Sequence, residues 1–191
     1  MGLKILMTEL FLRSILPPFY SFSMVEDVCK KKLRRMPADK DALWVLGNLY
    51  VHYKKFDEAR PHLEVLYGIN REMKSLRLLL AQVYYNLDEY AKVKKILEGG
   101  AILAPSARER FYLGDSLVEL KEFDAAVDQL SIYVRYHKGA YVPFVKLGYA
   151  YYMRGSFDLA IEAYKRAEML NPTSTEIKES IQICREKAGE N

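Results

Sequence analysis

Four stretches of this chain of 191 residues share one pattern of large apolar and small side chains. They are LGNLY at residues 46–50, LAQVY at 80–84, LGDSL at 113–117 and LGYAY at 147–151. Successive copies are offset by 34, 33 and 34 residues. A second mark follows each copy, as FDEA at 56–59, YAKV at 90–93, FDAA at 123–126 and FDLA at 157–160. Agreement at two independent marks indicates an internal repeat with a period near 34 residues.

Each copy predicts a pair of helices. Its apolar residues recur every three or four positions, which is typical of two helices of about a dozen residues joined by a short turn. The first helix carries a small residue that lets the second approach closely, and these residues are Gly47, Ala81, Gly114 and Gly148. The small or slender residues expected to face them from the second helix are Ala59, Val93, Ala126 and Ala160. Neither helix can bury its apolar face alone, so we expect the copies to stack.

This pattern resembles the tetratricopeptide repeat, whose signature is aromatic-x₂-Leu-Gly-x₂-Tyr, then Ala-x₃-aromatic, then Pro. The copy at 141–174 matches it best, through Phe144, Leu147, Gly148, Tyr151, Ala160, Tyr164, Ala167 and Pro172. The copy at 40–73 departs from it, with Leu43, Leu63 and Arg71 at the positions of Trp, the aromatic residue and Pro. The resemblance implies an all-α fold, a right-handed solenoid of helical hairpins.

The repeats divide the whole chain. The four copies occupy residues 40–73, 74–106, 107–140 and 141–174, preceded by a degenerate helical repeat at 1–39 and followed by a capping helix and tail at 175–191. In the degenerate repeat we expect helices at 3–16 and 22–36. Gly99-Gly100 is expected to end the second helix of the second copy about a turn early, and Pro61 to kink its own helix mildly.

Charge and composition favour a partner other than nucleic acid. The net charge of +4 arises in residues 1–37, which hold seven Lys or Arg and three Asp or Glu, so the remaining body is neutral. The strongest basic run comprises Lys30, Lys31, Lys32, Arg34 and Arg35. It could form a patch for anionic lipid, nucleic acid or an acidic partner. We favour a solvated helix end, where the dipole stabilises cations, because no aromatic residue is interleaved for base stacking.

The sequence indicates no catalytic residue, metal site or cofactor. It has no phosphate-binding loop, dinucleotide fingerprint or zinc-protease motif, and its three histidines are scattered. Cys29 and Cys184 fall at core positions, so we expect buried, reduced thiols in a cytoplasmic protein. Residues 1–22 are apolar, but Glu9 and Arg13 interrupt the run, which excludes a transmembrane span there; peripheral membrane association stays open. A gene start at Met24 is an alternative to the full segment.

The family resemblance implies a groove lined by the first helices. The groove residues carried over by repeat position are Trp44, Asn48, Val51, Leu78, Gln82, Tyr85, Phe111, Tyr112, Asp115, Tyr149, Tyr152 and Met153. Hairpin packing does not require these rings, and an exposed strip rich in rings is typical of an interaction site. We therefore predict a non-enzymatic scaffold or assembly factor that binds an apolar peptide or amphipathic helix. The carboxylate clamp of co-chaperones in this family is expected to be absent, since only Asn48 and Arg108 fit it.

Two other functions stay open at this stage. The chain resembles the small repeat-containing chaperones of bacterial type III secretion, which also carry a helical segment before their repeats. Alternatively, residues 1–22 could occupy the groove of the same chain or of another copy. That arrangement would make the protein an autoinhibited or self-associating scaffold.

Overall fold

The structure is a computed structural model that describes residues 21–99 and 105–189. All the regular structure in these residues is helical, and the fold is all-α as predicted. The helices are α1 (Phe22–Arg35), α2 (Lys40–His52), α3 (Phe56–Ile69), α4 (Lys74–Asn86), α5 (Tyr90–Glu98), α6 (Ala107–Glu119), α7 (Phe123–Tyr136), α8 (Tyr141–Met153), α9 (Phe157–Leu170) and α10 (Thr175–Ala188). The helix expected at residues 3–16 lies outside the described residues.

The chain divides into two compact units, the first ending at Asp88 and the second starting at Glu89. In the first unit, α1 packs on α2, α2 on α3, and α3 on α4. In the second unit each helix from α5 to α9 packs on the next one in the chain, and α6 also contacts α8. Each unit is therefore a row of antiparallel helices in which sequence neighbours are also neighbours in space, as stacked hairpins require.

Each glycine of a first helix leaves space that a large side chain of the second helix occupies. A Cβ added at Gly148 would lie 2.7 Å from ring atoms of Tyr164, closer than two carbon atoms can approach. The equivalent contacts are Gly47 with Leu63, at 2.3 Å, and Gly114 with Leu130, at 2.8 Å. Each partner is sixteen residues after its glycine, and all three partners are buried.

This finding corrects the contact that the sequence predicts. Ala59, Val93, Ala126 and Ala160 are fully buried, as expected for core positions. The atoms nearest to the glycines, however, belong to the residue one turn further along the second helix. The small residue of the first helix thus packs against a large side chain of the second helix rather than against a second small one.

Helix ends follow local sequence signals. Ser106 caps α6 and forms a capping box with Glu109, in which each side chain accepts a hydrogen bond from the other residue's backbone N–H. The helix α5 ends at Glu98 with Gly99 as its C-cap, and it has 9 residues where α3, α7 and α9 have 14. The early end expected from Gly99 is therefore observed. Pro61 lies inside α3, near its N-terminus, and the helix continues through it.

The turn inside each hairpin contains one residue in the left-handed backbone region. These residues are Lys54 (φ 57°), Asp88 (φ 56°), Lys121 (φ 62°) and Gly155 (φ 74°), and they recur with the period of the repeat. A side chain in this region costs roughly 1–2 kcal/mol, a cost that glycine avoids. Only the fourth copy has glycine there, so the other hairpins contain a strained turn residue.

We expect Gly155→Ala to lower the free energy of unfolding by about 1 kcal/mol through backbone strain alone. The new Cβ would meet no atom within 4 Å, so no steric clash contributes. Gly139→Ala is the matched control, because Gly139 has equally open surroundings and no positive φ. Urea denaturation followed by circular dichroism measures both. Equal effects of the two substitutions would contradict the interpretation, and Lys121→Gly should raise stability.

Candidate functional site

The predicted groove residues of the first unit are largely occupied by packing within it. Trp44 on α2 is only 7% exposed, so its indole ring is part of the core. Asn48 is half-buried, and its side-chain amide donates a hydrogen bond of 2.8 Å to the carbonyl oxygen of Trp44. Val51 is also half-buried. Little of this set is accessible to a ligand.

On α4, the groove residues Leu78, Gln82 and Tyr85 are all half-buried. The backbone carbonyl of Gln82 accepts a hydrogen bond of 2.8 Å from the side chain of Asn86. None of the three is prominently exposed, so α4 offers a partly apolar surface without a protruding ring.

On α6, the two predicted rings support the helix pair. The ring of Phe111 lies 5.5 Å from the ring of Tyr133 on α7 and 5.9 Å from that of Tyr112, measured between centroids. Both residues are half-buried. Burial raises the pKa of the Tyr112 hydroxyl, which keeps it neutral at physiological pH. These rings are thus shared between hairpin packing and the surface.

An ionic cluster built on one buried carboxylate joins α6 and α8. Asp115, another predicted groove residue, is only 2% exposed. The ammonium of Lys146 lies 2.8 Å from Oδ1 of Asp115 and 2.7 Å from Oε1 of Glu119. Burial of Lys146 disfavours its charge, but the hydrogen bonds to both carboxylates outweigh this cost and raise its pKa. Asp115 therefore connects neighbouring first helices and has no surface for a ligand.

The predicted residues of α8 are the most open. Tyr149 is 41% exposed, Met153 is exposed, and Tyr152 is half-buried. The ring of Tyr149 meets the ring of Phe123 edge-on at 6.1 Å, and Tyr152 lies 5.8 Å from the ring of Phe157. Tyr149 is therefore supported by the neighbouring hairpin and Tyr152 by the second helix of its own hairpin, while part of the surface of each faces solvent.

An open cavity of about 210 Å³ adjoins these tyrosines. Its lining combines α8, α9 and α10, and the lining residues, which we call the aromatic cavity, are Tyr149, Tyr152, Tyr164, Ser180, Ile183 and Cys184. Ile183 is 46% exposed at its mouth. Of the twelve predicted groove residues, Tyr149 and Tyr152 are the ones brought together here.

Sequence analysis missed the contribution of α10. Ile183 lies 34 residues after Tyr149 and so occupies the same repeat position. Extending the repeat register into the last helix would have identified it. The sequence predicts an amphipathic capping helix with Cys184 on its core side, but no part of that helix at the groove. The structure shows that α10 buries Ile177, Ile181 and Cys184 and also presents Ile183 beside the cavity.

Burial disfavours the charged forms of two residues that line the aromatic cavity, Tyr164 and Cys184. Burial raises the pKa of the Cys184 thiol, which disfavours the nucleophilic thiolate. Burial is also the largest cause of the raised pKa of Tyr164. Cys29, in the first unit, is likewise buried with a raised pKa. Both cysteines are buried as predicted, and the cavity is suited to apolar groups rather than to ions.

The basic run is partly neutralised within the fold. Lys30 lies 2.6 Å from Glu26, and Lys32 lies 2.8 Å from Asp39, the N-cap of α2. Lys31, Arg34 and Arg35 are exposed near the C-terminal end of α1. This position agrees with a solvated helix end whose cations interact favourably with the helix dipole.

Across the part of the chain that the structure describes, no three His, Cys, Asp or Glu side chains converge as candidate metal ligands. Among residues 21–99 and 105–189, no helix has the length and hydropathy required to cross a bilayer.

Comparison with known proteins gives one consistent result. Two family models of the tetratricopeptide repeat match residues 52–112 and 111–175, together more than half of the chain. A crystal structure of MamA protein matches with a TM-score of 0.71 and 22% identity, over 79% of this chain and 83% of that one. YrrB, described as a TPR protein with an unusual peptide-binding site, matches with a TM-score of 0.74 and 20% identity, over 84% of each chain. These similarities show a shared fold, the solenoid of helical hairpins that the sequence predicts.

We expect Lys146→Met to lower the free energy of unfolding by about 3 kcal/mol, because it leaves the carboxylate of Asp115 buried without its cation. Lys94 is about as exposed as Lys146, but the side chain of its partner Glu122 is 41% exposed where that of Asp115 is 3% exposed. Lys94→Met should therefore cost about 1 kcal/mol or less. Urea denaturation compares the two variants. Adding Asp115→Asn to Lys146→Met should recover part of the loss, and equal effects of the two lysine substitutions would contradict the assignment.

Stability should fall at alkaline pH. The pKa of Lys146 is raised by folding, so its ionic contribution is complete below the pKa of an unfolded lysine, about 10.4, and is lost as the pH rises through the folded value. Tyr112 and Tyr164 act in the same direction, because folding raises their pKa from an unfolded value of about 10. The free energy of unfolding, measured by urea titration at several pH values, should decrease above pH ~10. An increase with pH in that range would refute this.

Proposed function

The chain belongs to the tetratricopeptide repeat family, whose members are protein-interaction modules, and we propose that its second unit binds an apolar segment or amphipathic helix of a partner protein at the aromatic cavity. One observation supports this binding site most strongly: the cavity is open, and exposed apolar side chains lie beside it. Tyr149 and Ile183 line the cavity and are exposed, and Met153 is exposed one turn beyond Tyr149, whereas most of the predicted groove elsewhere is buried or half-buried.

The size of the cavity favours a peptide side chain over a small-molecule cofactor. Small-molecule sites usually enclose about 300–1,000 Å³, and the aromatic cavity has about 210 Å³. One apolar side chain of a partner would fill it, while neighbouring side chains of the partner rest on Tyr149 and Met153. An amphipathic helix presents apolar side chains at positions i, i+4 and i+7, which is the spacing such an extended apolar surface accepts.

The chemistry of the site favours binding over catalysis. Burial raises the pKa of the Cys184 thiol and of the Tyr164 hydroxyl, and the nearby ammonium of Lys146 on α8 is held by two carboxylates. Tyrosine contributes strongly to protein interfaces because its ring buries a large area with few rotatable bonds. A role as scaffold or as assembly chaperone would use the same contacts, so the cavity supports both equally.

We expect Tyr149→Ala to weaken binding of an apolar amphipathic peptide about tenfold or more, since it removes an exposed ring at the mouth of the cavity. Tyr136→Ala is the matched control, because Tyr136 lies on α7 and is 75% exposed away from the cavity lining. Fluorescence anisotropy with peptides selected on an array provides the affinities.

Circular dichroism must show that both variants are folded. Trp44→Ala is not a suitable test of peptide binding, because Trp44 is buried and its loss would destabilise the first unit. Identical affinities for the wild-type chain and Tyr149→Ala, or equal losses for Tyr149→Ala and Tyr136→Ala, would refute binding at this site.

A further inference from the structure

The charge pattern of α10 identifies the kind of partner. Resting on the proposed function, we propose that the helix bound at the aromatic cavity is cationic, with apolar side chains for the cavity and Lys or Arg side chains beside them. Among peptides that share the same apolar face, the site should then prefer those that carry positive charge.

One face of α10 carries an apolar residue between carboxylates. Glu176, Glu179, Ile183 and Glu186 are spaced by three, four and three residues, so they lie along one stripe of the helix. All four are exposed. Ile183 borders the aromatic cavity, and Glu179 and Glu186 lie about one turn before and after it. Glu179 and Glu186 are therefore beside Ile183 and are not among the residues that line the cavity.

These carboxylates have no cationic partner in the described residues. None of Glu176, Glu179 and Glu186 forms an ion pair there; Glu186 only accepts a hydrogen bond of 3.0 Å from the neutral amide of Gln182. Lys187 is the one cation of α10 adjoining this stripe. Three carboxylates thus face one ammonium, in a chain whose net charge is +4.

Two of the three basic residues of α10, Lys178 and Arg185, lie away from the cavity, whereas Lys187 is on the same side of the helix as Ile183. At 100° per residue, Lys178 and Arg185 are on the opposite side of the helix axis from Ile183. On the facing helix α8, the ammonium of Lys146 is already engaged by Asp115 and Glu119. Among the exposed residues of α8, Tyr149 lines the cavity and Met153 lies one turn further along, and neither carries a charge. Arg154, which follows α8, pairs with Asp124. The carboxylates beside Ile183 are therefore not balanced from the other wall.

Electrostatic complementarity of this kind selects partners more than it adds affinity. Exposed ion pairs each contribute little, and their effect decreases as salt shortens the Debye length. Like charges placed side by side repel, so an anionic helix is disfavoured while a cationic one is attracted. Across two or three such contacts, the difference between a cationic and an anionic peptide should be about 10- to 30-fold at low salt.

The test uses the full chain and three synthetic helical peptides of about 15 residues. All three carry the same leucines at positions i, i+4 and i+7, and the residues flanking this stripe are Lys, Gln or Glu. Affinities are measured by fluorescence anisotropy at ~50 mM and ~500 mM NaCl, where the Debye length differs about threefold. We expect the order Lys, then Gln, then Glu from tightest to weakest, with the differences shrinking at high salt.

A charge-matched pair of variants locates the effect. Glu179→Gln with Glu186→Gln should remove the preference for the Lys peptide and leave the affinity for the Gln peptide unchanged. Glu58→Gln with Glu72→Gln changes the net charge equally, but both residues are exposed in the first unit, so the preference should persist. Loss of the preference in both double variants, or in neither, would overturn the proposal.

The outcomes separate this proposal from the proposed function. If the three peptides bind equally and Tyr149→Ala weakens them all, the cavity binds apolar helices and the cationic preference is wrong. If none binds, the proposed function itself fails. Sedimentation should show that the chain alone does not self-associate through this face. A dimer that dissociates in the Glu179→Gln, Glu186→Gln variant would assign the surface to a second copy and overturn the proposal.

Discussion

Close packing of a glycine against a large buried side chain is the constraint on which three of the hairpins depend. Leu63, Leu130 and Tyr164 each occupy the space that a Cβ on the facing helix would need. Other side chains of the first helices, such as Leu46, Leu49 and Leu117, are buried in the same core. The position after the small residue differs between copies, where Asn48, Gln82, Asp115 and Tyr149 stand.

The repeat period predicts the backbone better than it predicts exposure. Helix positions follow from periodic apolar residues and from local signals such as Gly99, because these depend on neighbours in sequence. The exposure of Trp44, Asp115 and Tyr149 depends on side chains that reach across from other helices. Asp115 is buried because Lys146, on the next first helix, extends to it. A repeat position does not specify that partner, so the sequence predicted a groove residue where the fold has an ionic cluster.

The capping helix illustrates a different reason for an incomplete prediction. Its polar composition correctly indicates an exposed outer surface, but composition averages over all faces of a helix. One face of α10 buries Ile177, Ile181 and Cys184, and an adjacent face presents Ile183 between carboxylates. The last helix thus both completes the core of the second unit and forms a wall of the aromatic cavity. An open cavity with exposed apolar side chains is consequently found beside this helix.

The left-handed residue in each hairpin turn has a consequence for how such a chain can change in length. Lys54, Asp88, Lys121 and Gly155 fix the turn in one backbone geometry, so an inserted residue there would alter the register of the two helices. Connections between hairpins, such as residues 137–140 and 171–174, contain no described residue with positive φ. They can absorb extra residues at less cost. Evolution can therefore lengthen this protein between hairpins, or by duplicating a whole hairpin, while the turn inside each hairpin keeps its length.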